Sequence, residues 1–330
     1  MLNNFVKFAL QEGGSIHPLI IPAGGTGLMN PSIFNDDGKI RIVLRHVNYI
    51  FYHSEKKLFQ HAWGPLTYLH PENDMHLRTE NWFLEMNDDL TINKYTKIDM
   101  SFGDSQYEPM WEFRGLEDAR LFRWDDKLYI CGVRRDTTPN GQGRMELCEI
   151  QVTDDGGVKE VSRFRIPPPN DPNSYCEKNW MPILDMPYHF VKWTNPTEVV
   201  KVDPINKTSS TAVLTERSKL LPRDVRGGTQ LITRDDGSRM AMTHEVDLFK
   251  SEVGRKDGVY YHRFIVWDKD FNIQKCSKEF FLMDGQVEFS IGICKKDNDY
   301  LMTFGFQDNA AYVLRVPTQT VEKFIDQNSA

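Results

Sequence analysis

Five times along this chain an apolar stretch runs into a tight polar turn and returns as a second apolar stretch, with polar residues at both open ends. The copies are NPSIFNDDGKIRIVLRHVNY (30–49), EDARLFRWDDKLYICGVRRD (117–136), KNWMPILDMPYHFVKWTNP (178–196), GGTQLITRDDGSRMAMTHEVD (227–247) and EFSIGICKKDNDYLMTFGFQD (288–308). Each reads as a β-hairpin, because short apolar runs bounded by Asp, Asn and Gly are strand signals. Asp36-Asp37-Gly38 and Asp235-Asp236-Gly237 suit tight hairpin turns, where Asp and Gly tolerate positive φ. Asp125-Asp126 and Asp297-Asn298-Asp299 are variants of the same turn.

Between the hairpins there is room for further strands, for example at 80–92, 143–152 and 261–273. Helical periodicity is confined to short pieces near Asn4–Glu12 and Val321–Gln327. Propeller repeats of four strands take about 40–50 residues, with insertions in loops. The expectation is therefore an all-β, five-bladed β-propeller occupying 1–330 as a single domain. A β sandwich or two smaller β domains is the competing arrangement. At 330 residues and 40% hydrophobic content the chain can bury a sizeable core without disulfides or metals.

In a propeller the hairpin ends of all blades converge on one funnel. Asn30, Glu117, Asp118, Lys178, Asn179, Gly228, Thr229 and Glu288 would then form one ring, approached by Arg45, Arg134, Thr194, His244 and Asp308. Such a ring is acidic, basic and amide-rich, which suits a polyhydroxylated ligand carrying an anion.

The net charge of −7 argues against a broadly basic nucleic-acid-binding face. Five scattered cysteines without a Cys-x-x-Cys pair argue against a zinc site or a disulfide framework. The start, MLNNFVKFALQEGG, lacks a signal-peptide pattern, and no apolar run approaches 18 residues. These features lead us to expect a cytoplasmic protein that does not span a membrane and has no metal-ligand motif, with the use of a divalent metal and homo-oligomer formation both left open by the sequence.

The motifs add a resemblance. GLEDARLF (115–122) resembles the Gly-x-Glu-Asp-Pro-Arg signature of the inverting β-mannoside phosphorylases, and EKNWMPI (177–183) resembles their later Lys-Asn-Trp segment. Residues 226–311 are similar to the C-terminal half of bacterial and phage relatives described as glycosyltransferases. Ala119 replaces the family proline, and the YYHRF and GFQD segments depart from the phosphorylase pattern. The resemblance implies a five-bladed β-propeller that performs glycosyl transfer. It makes Asp118 the general acid and places Lys178 and His244, with Arg134 or Arg135, around phosphate.

Cationic clamps of this kind supply electrostatic stabilisation where charge develops, with Arg offering a planar fork and Lys a point charge. Glu117, Arg45, Asn48, Asn179, Glu288, Asp308, Tyr261 and His262 are the sugar-binding candidates, with Tyr260, Trp111 and Trp180 as further aromatic ones. The bland readings are a turn or cap residue for Asp118, a solvated Lys178, a satisfied core His244 and structural ion pairs for Glu117. No cofactor is expected beyond a co-substrate, either inorganic phosphate or a nucleotide sugar. The partner is a carbohydrate or sugar phosphate; nucleic acid enters only as a modified acceptor, as in phage DNA glucosylation. A hydrolase using Glu288 or Asp308 as base, and a non-catalytic glycan-binding propeller, are the alternatives.

Overall fold

The computed structural model describes residues 3–24, 27–51, 68–69, 76–102, 108, 110, 112–221, 223, 225–250 and 256–329. The chain opens with helix α1 (Phe5–Gln11), whose N-cap Asn4 accepts from the Lys7 amide at 2.8 Å, and strand β1 (Ser15–Pro18). Among the described residues five antiparallel four-stranded units follow, the first two joined in one sheet by parallel pairing of Val158 and Lys159 with Ile98 and Asp99. The first is β2 (Leu28–Asp36), β3 (Lys39–Val47), β4 (Leu77–Met86) and β5 (Ile92–Asp99). The second is β6 (Glu117–Trp124), β7 (Lys127–Arg134), β8 (Arg144–Val152) and β9 (Val158–Arg165). The third is β10 (Met181–Pro182), β11 (His189–Thr194), β12 (Thr197–Asp203) and β13 (Thr208–Leu214).

The fourth unit is β14 (Ile232–Thr233), β15 (Arg239–Lys250), β16 (Lys256–Trp267) and β17 (Ile273–Cys276). The fifth is β18 (Glu288–Lys296), β19 (Asp299–Phe306) and β20 (Ala310–Pro317), and it takes its outer strand from the opposite end of the chain. There β1 pairs with β20, Ser15 opposite Arg315 and Pro18 opposite Tyr312. Helix α2 (Thr318–Gln327) follows. No helix among the described residues is long and apolar enough to cross a membrane.

The all-β expectation holds, and each sequence hairpin coincides with the first two strands of a unit. Asp37 and Gly38 (φ 51° and 88°) and Asp125 and Asp126 (46° and 60°) adopt the left-handed backbone that two-residue hairpin turns require.

The inner strands alternate between two cores rather than between core and water. In β7, Leu128 and Ile130 pack toward the first unit, whereas Tyr129, Cys131 and Val133 pack toward the third. Burial on both faces explains the near-continuous apolar run LYICGV. The same division places one core between each pair of consecutive units. Ile33, Ile42 and Leu84 meet Leu301 and Val313, so a core also joins the fifth unit to the first. Side chains stitch the innermost strands together. The Leu121 amide donates to Ser32 Oγ at 2.9 Å, Gln230 Nε2 donates to the Ile33 carbonyl at 2.6 Å, and Thr303 Oγ1 donates to the Pro31 carbonyl at 2.5 Å.

Candidate active site

The strand starts that the repeat aligned do meet, through a shared backbone device. β2 and β6 each lose register near their first residues, between Met29 and Ser32 and between Glu117 and Arg120. Asn30 and Asp118 sit in these bulges with φ of 44° and 52°, and Asn179, just ahead of β10, has φ 61°. Asn and Asp bear this left-handed conformation better than other residues with a Cβ, and bulges re-aim side chains. Here they aim at one another: Asn30 Nδ2 donates to Asp118 Oδ1 at 2.9 Å. Arg120, fully buried, ties three units. Its Nη1 donates to the Asp118 carbonyl (2.9 Å), its Nε to the Gly228 carbonyl (2.7 Å) and its Nη2 to Asn179 Oδ1 (3.5 Å).

Arg45 on β3 is the electrostatic centre. Its Nη1 meets Asp118 Oδ1 at 2.9 Å, and its Nη2 meets Tyr49 OH at 2.9 Å and Glu117 Oε2 at 3.4 Å. Burial pushes the Asp118 carboxyl up, but Arg45, the Asn30 amide, Arg120 and Lys178 more than offset it, so it lies below the usual carboxylate range. Asp308 goes the other way. Burial raises it; Arg45 pulls it down, and the charges of Asp118 and Glu117 push it up again, to about 6. Two carboxyl groups around one guanidinium are thus driven apart, the arrangement that separates acid from base roles.

Opposite them is a cationic side. Lys178 and Arg226 are exposed, feel Asp118 and Tyr260 respectively, and line a cavity of about 200 Å³ together with Asn179 and Trp193. No ion pair holds either cation among the described residues. Burial, reinforced by the charges of His262, Lys178 and Arg226, drives the His244 imidazole well below its ordinary pKa, so it is neutral. Its Nδ1 lies 2.9 Å from the Gly227 carbonyl, which can only accept. Nδ1 therefore carries the proton, and Nε2 presents a lone pair. His244 stands at the site as an acceptor and not as the cation that anion binding suggested. Tyr260 stacks on it at 5.8 Å, and burial pushes its phenol up to about 12.

Several expected residues are committed elsewhere. Arg134 is buried against Asp136, Nε to Oδ1 at 2.7 Å, and its other charged neighbours are Arg163 and Glu146. That fork braces the loop end, since Asp136 also accepts from the Gly115 amide at 3.0 Å. Glu288 is closed off: its carboxylate accepts from the amides of Leu282, Met283 and Gly285 at 2.7, 2.7 and 2.8 Å. Asn48 donates to the His76 carbonyl (2.9 Å) and accepts from the Arg78 amide (2.7 Å), so it fixes a chain crossing.

Tyr261 is on the wrong face. Alternate residues of a strand point oppositely, and Tyr261 turns toward Asp247 and Phe281 while Tyr260 faces the site. His262 is fully buried beside Phe280, with no partner for either ring nitrogen among the described residues, and burial lowers it to about 3. Thr194 donates to the Val225 carbonyl at 2.6 Å, and Trp180 is buried with its Nε1 on Glu177. Trp111 lies outside the described residues. Arg226 was overlooked in the sequence, although it directly precedes the Gly-Gly of the fourth hairpin; Asn30 and Asn179 stand where the repeat placed them.

No family model matches the sequence, and no curated protein does. Solved structures do match in shape. A β-1,2-mannobiose phosphorylase from Listeria innocua superposes with a TM-score of 0.57 at 12% identity, over 95% of this chain and all (100%) of that one. The chain has the fold of the β-mannoside phosphorylases. A mannose phosphorylase from Leishmania mexicana, in complex with phosphate ion, has a TM-score of 0.51 at 13% identity over 97% and 93% of the two chains. A glycosyl hydrolase from Bacteroides ovatus has a TM-score of 0.59 at 13% identity over 89% and 85%. At these identities the likeness concerns the fold, and it agrees with the motif resemblance at 115–122 and 177–183.

Proposed function

We propose that the chain is a glycoside phosphorylase that exchanges a β-linked mannoside with inorganic phosphate, its five units being the blades of one single-domain propeller. The observation that carries this reading is the pairing of two cations, Lys178 and Arg226, that have no ion pair among the described residues, with two carboxyl groups whose pKa values are driven apart. Two carboxyl groups alone would serve a hydrolase equally; phosphate brings its own nucleophilic oxygen and needs cations, so Lys178 and Arg226 decide the choice. The resemblance and the phosphorylases among the structural neighbours support the same choice.

A phosphate oxygen forms a bond to the anomeric carbon as the bond from that carbon to the glycosidic oxygen breaks. The proton passes from the Asp118–Asp308 pair to the departing oxygen. Asp118 stands where the resemblance puts the acid, and Asp308 is the member that holds a proton nearest neutrality. Lys178 and Arg226 neutralise the phosphate, and His244 Nε2 accepts from its remaining P–OH. That proton then restores the carboxyl group, leaving a sugar 1-phosphate and a free hydroxyl.

A thermal-shift titration with inorganic phosphate, UDP and GDP in parallel tests the reading, followed by assay for sugar 1-phosphate. Saturation at 100 times Kd raises stability by about 2.7 kcal/mol. Stabilisation by phosphate, lost in Lys178→Ala and Arg226→Ala, is expected. Stabilisation by one nucleotide diphosphate without phosphate would replace the phosphorylase with a nucleotide-sugar transferase. An aryl mannoside with a good leaving group bypasses the need for an acid, so it should rescue variants of the proton donor and leave Lys178→Ala impaired.

A further inference from the structure

Strands β15 and β16 are 12 residues each, against 10 or fewer for every other strand described. Beyond His244, β15 runs on to Lys250, about 20 Å at roughly 3.4 Å per residue. The pair stays in register to its end, with Val246 opposite Tyr260, Leu248 opposite Gly258 and Lys250 opposite Lys256. The fourth unit therefore raises a two-stranded wall above the level of the site.

The two faces of that wall differ. Alternate residues share a face, so Val246 and Leu248 continue the face of His244 and Tyr260. Those two rings look onto Phe289 of the fifth unit, at 4.5 and 6.4 Å between ring centres. Gly258 makes the apolar surface continuous. A Cβ there would lie 3.0 Å from Val246 Cγ1 and 3.1 Å from Leu248 Cδ2, so both side chains close over bare backbone. Leu248 is nonetheless 54% exposed, and its face turns polar only at Lys250. The outer face carries charge instead: Asp247 meets Arg223 Nη1 at 3.1 Å, and Glu245 pairs with Arg263. The charged side of the hairpin is paired while the apolar side is open, the reverse of what burial alone would produce.

The apolar stripe leads down to Tyr260, whose phenol feels the charges of Asp308 and Asp118. It thus reaches the carboxyl side of the site, where the departing oxygen takes its proton. It does not enter the cavity of Lys178 and Arg226, which neither Val246 nor Leu248 lines. A group leaving with that oxygen lies along C–H surface. A second sugar would find no side-chain partner on Val246 or Leu248 for the hydroxyls it desolvates there, whereas an alkyl or aryl group gains from the burial.

We propose that Val246 and Leu248 form the wall of the leaving-group subsite and select glycosides whose departing group is apolar over disaccharides. This rests on the glycoside-cleaving reading of the Asp118 site. Calorimetric titration without phosphate, using methyl, butyl and hexyl β-mannosides and a β-linked mannobiose, tests it on wild type, Leu248→Ser and Phe249→Ser. Phe249 is exposed on the outer face of the same strand and serves as the control. The hexyl mannoside should bind wild type and Phe249→Ser about tenfold more tightly than the methyl one, the ratio that burying about two methylenes gives. It should also outbind the mannobiose, and in Leu248→Ser the hexyl-to-methyl ratio should fall to within about twofold of one. A ratio near one in the wild type, a ratio kept in Leu248→Ser or lost equally in Phe249→Ser, or a mannobiose that binds more tightly than the hexyl mannoside overturns the proposal. If phosphate binds and no mannoside does, the wall falls and the phosphate site stands. A Leu248-dependent ratio in a protein that never yields sugar 1-phosphate would uphold the wall while rejecting the phosphorylase.

Discussion

Replacing Asp308 by Asn should make the protein more stable and less active, in a manner that depends on pH. The wild-type carboxyl titrates near 6 in the fold, against 3.8 for the free side chain, because it is buried and faces Asp118 and Glu117. A folded pKa above the unfolded one means that the native state binds the extra proton. The stability from that proton is fully present below about pH 3.8 and is lost as pH rises through 6. Roughly two pKa units at about 1.4 kcal/mol each set an upper bound of about 3 kcal/mol lost by pH 8. Asn copies the protonated shape and cannot ionise, so it escapes the loss. Arg45 keeps Asp118 and Glu117 as partners in the variant. Urea unfolding at pH 4, 6 and 8 should give near-equal midpoints at pH 4 and a variant more stable by up to about 3 kcal/mol at pH 8. Turnover of an unactivated mannoside should fall about 10²–10⁴-fold. A difference between the two proteins that stays constant from pH 4 to 8 would show that Asp308 is not strained by its neighbours, and would remove the basis for its proton-holding role.

Arg45→Met strips the cation from a partly buried group of carboxylates and should lower stability at pH 8, less so at pH 5 as Asp308 takes up its proton; denaturant melts at the two pH values read this directly. Glu288→Gln turns one acceptor oxygen into an N–H facing backbone donors, so we expect a loss of about 1–3 kcal/mol in thermal melts with no change in KM for phosphate or sugar. Arg134→Met leaves Asp136 buried without its partner; it should lower stability while phosphate affinity by calorimetry stays at the wild-type value.

Much of the architecture was legible because the strands are simple. A strand buried on both faces is apolar almost throughout, and an Asp-Asp or Asp-Gly turn between two such strands can hardly be anything but a hairpin. Aligning the hairpins then brought Asn30, Asp118 and Asn179 together, since equivalent positions in repeated units become neighbours. What the alignment could not convey was parity and capture. A shift of one residue decides whether Tyr260 or Tyr261 faces the site, and the pattern YYH offers no way to choose. Glu288 and Asn48 sit at the right height but are taken by the 282–285 and 76–78 segments, whose paths depend on tertiary packing. Arg134 was claimed by an aspartate only two residues away, a contact that the hairpin-end reading did not consider. The tautomer of His244 depends on a carbonyl, Gly227, that leaves no mark in a side-chain pattern.

The borrowing of β1 by the last unit has a consequence on the ribosome. Ser15–Pro18 emerges early, but its partner β20 spans Ala310–Pro317. At about 5–20 residues per second the first strand waits roughly 15 to 60 s for its pair. During that interval Leu19 and Ile21, which belong to the core joining the fifth unit to the first, lack the Cys294, Leu301, Ala311 and Val313 half of that core. A nascent chain paused before residue 308 would carry Arg45, Asp118, Lys178 and His244 already made, yet lack Asp308 and the closing strand. Catalytic competence would then arrive in one late step, timed by the arrival of β20 rather than by the folding of any single sheet.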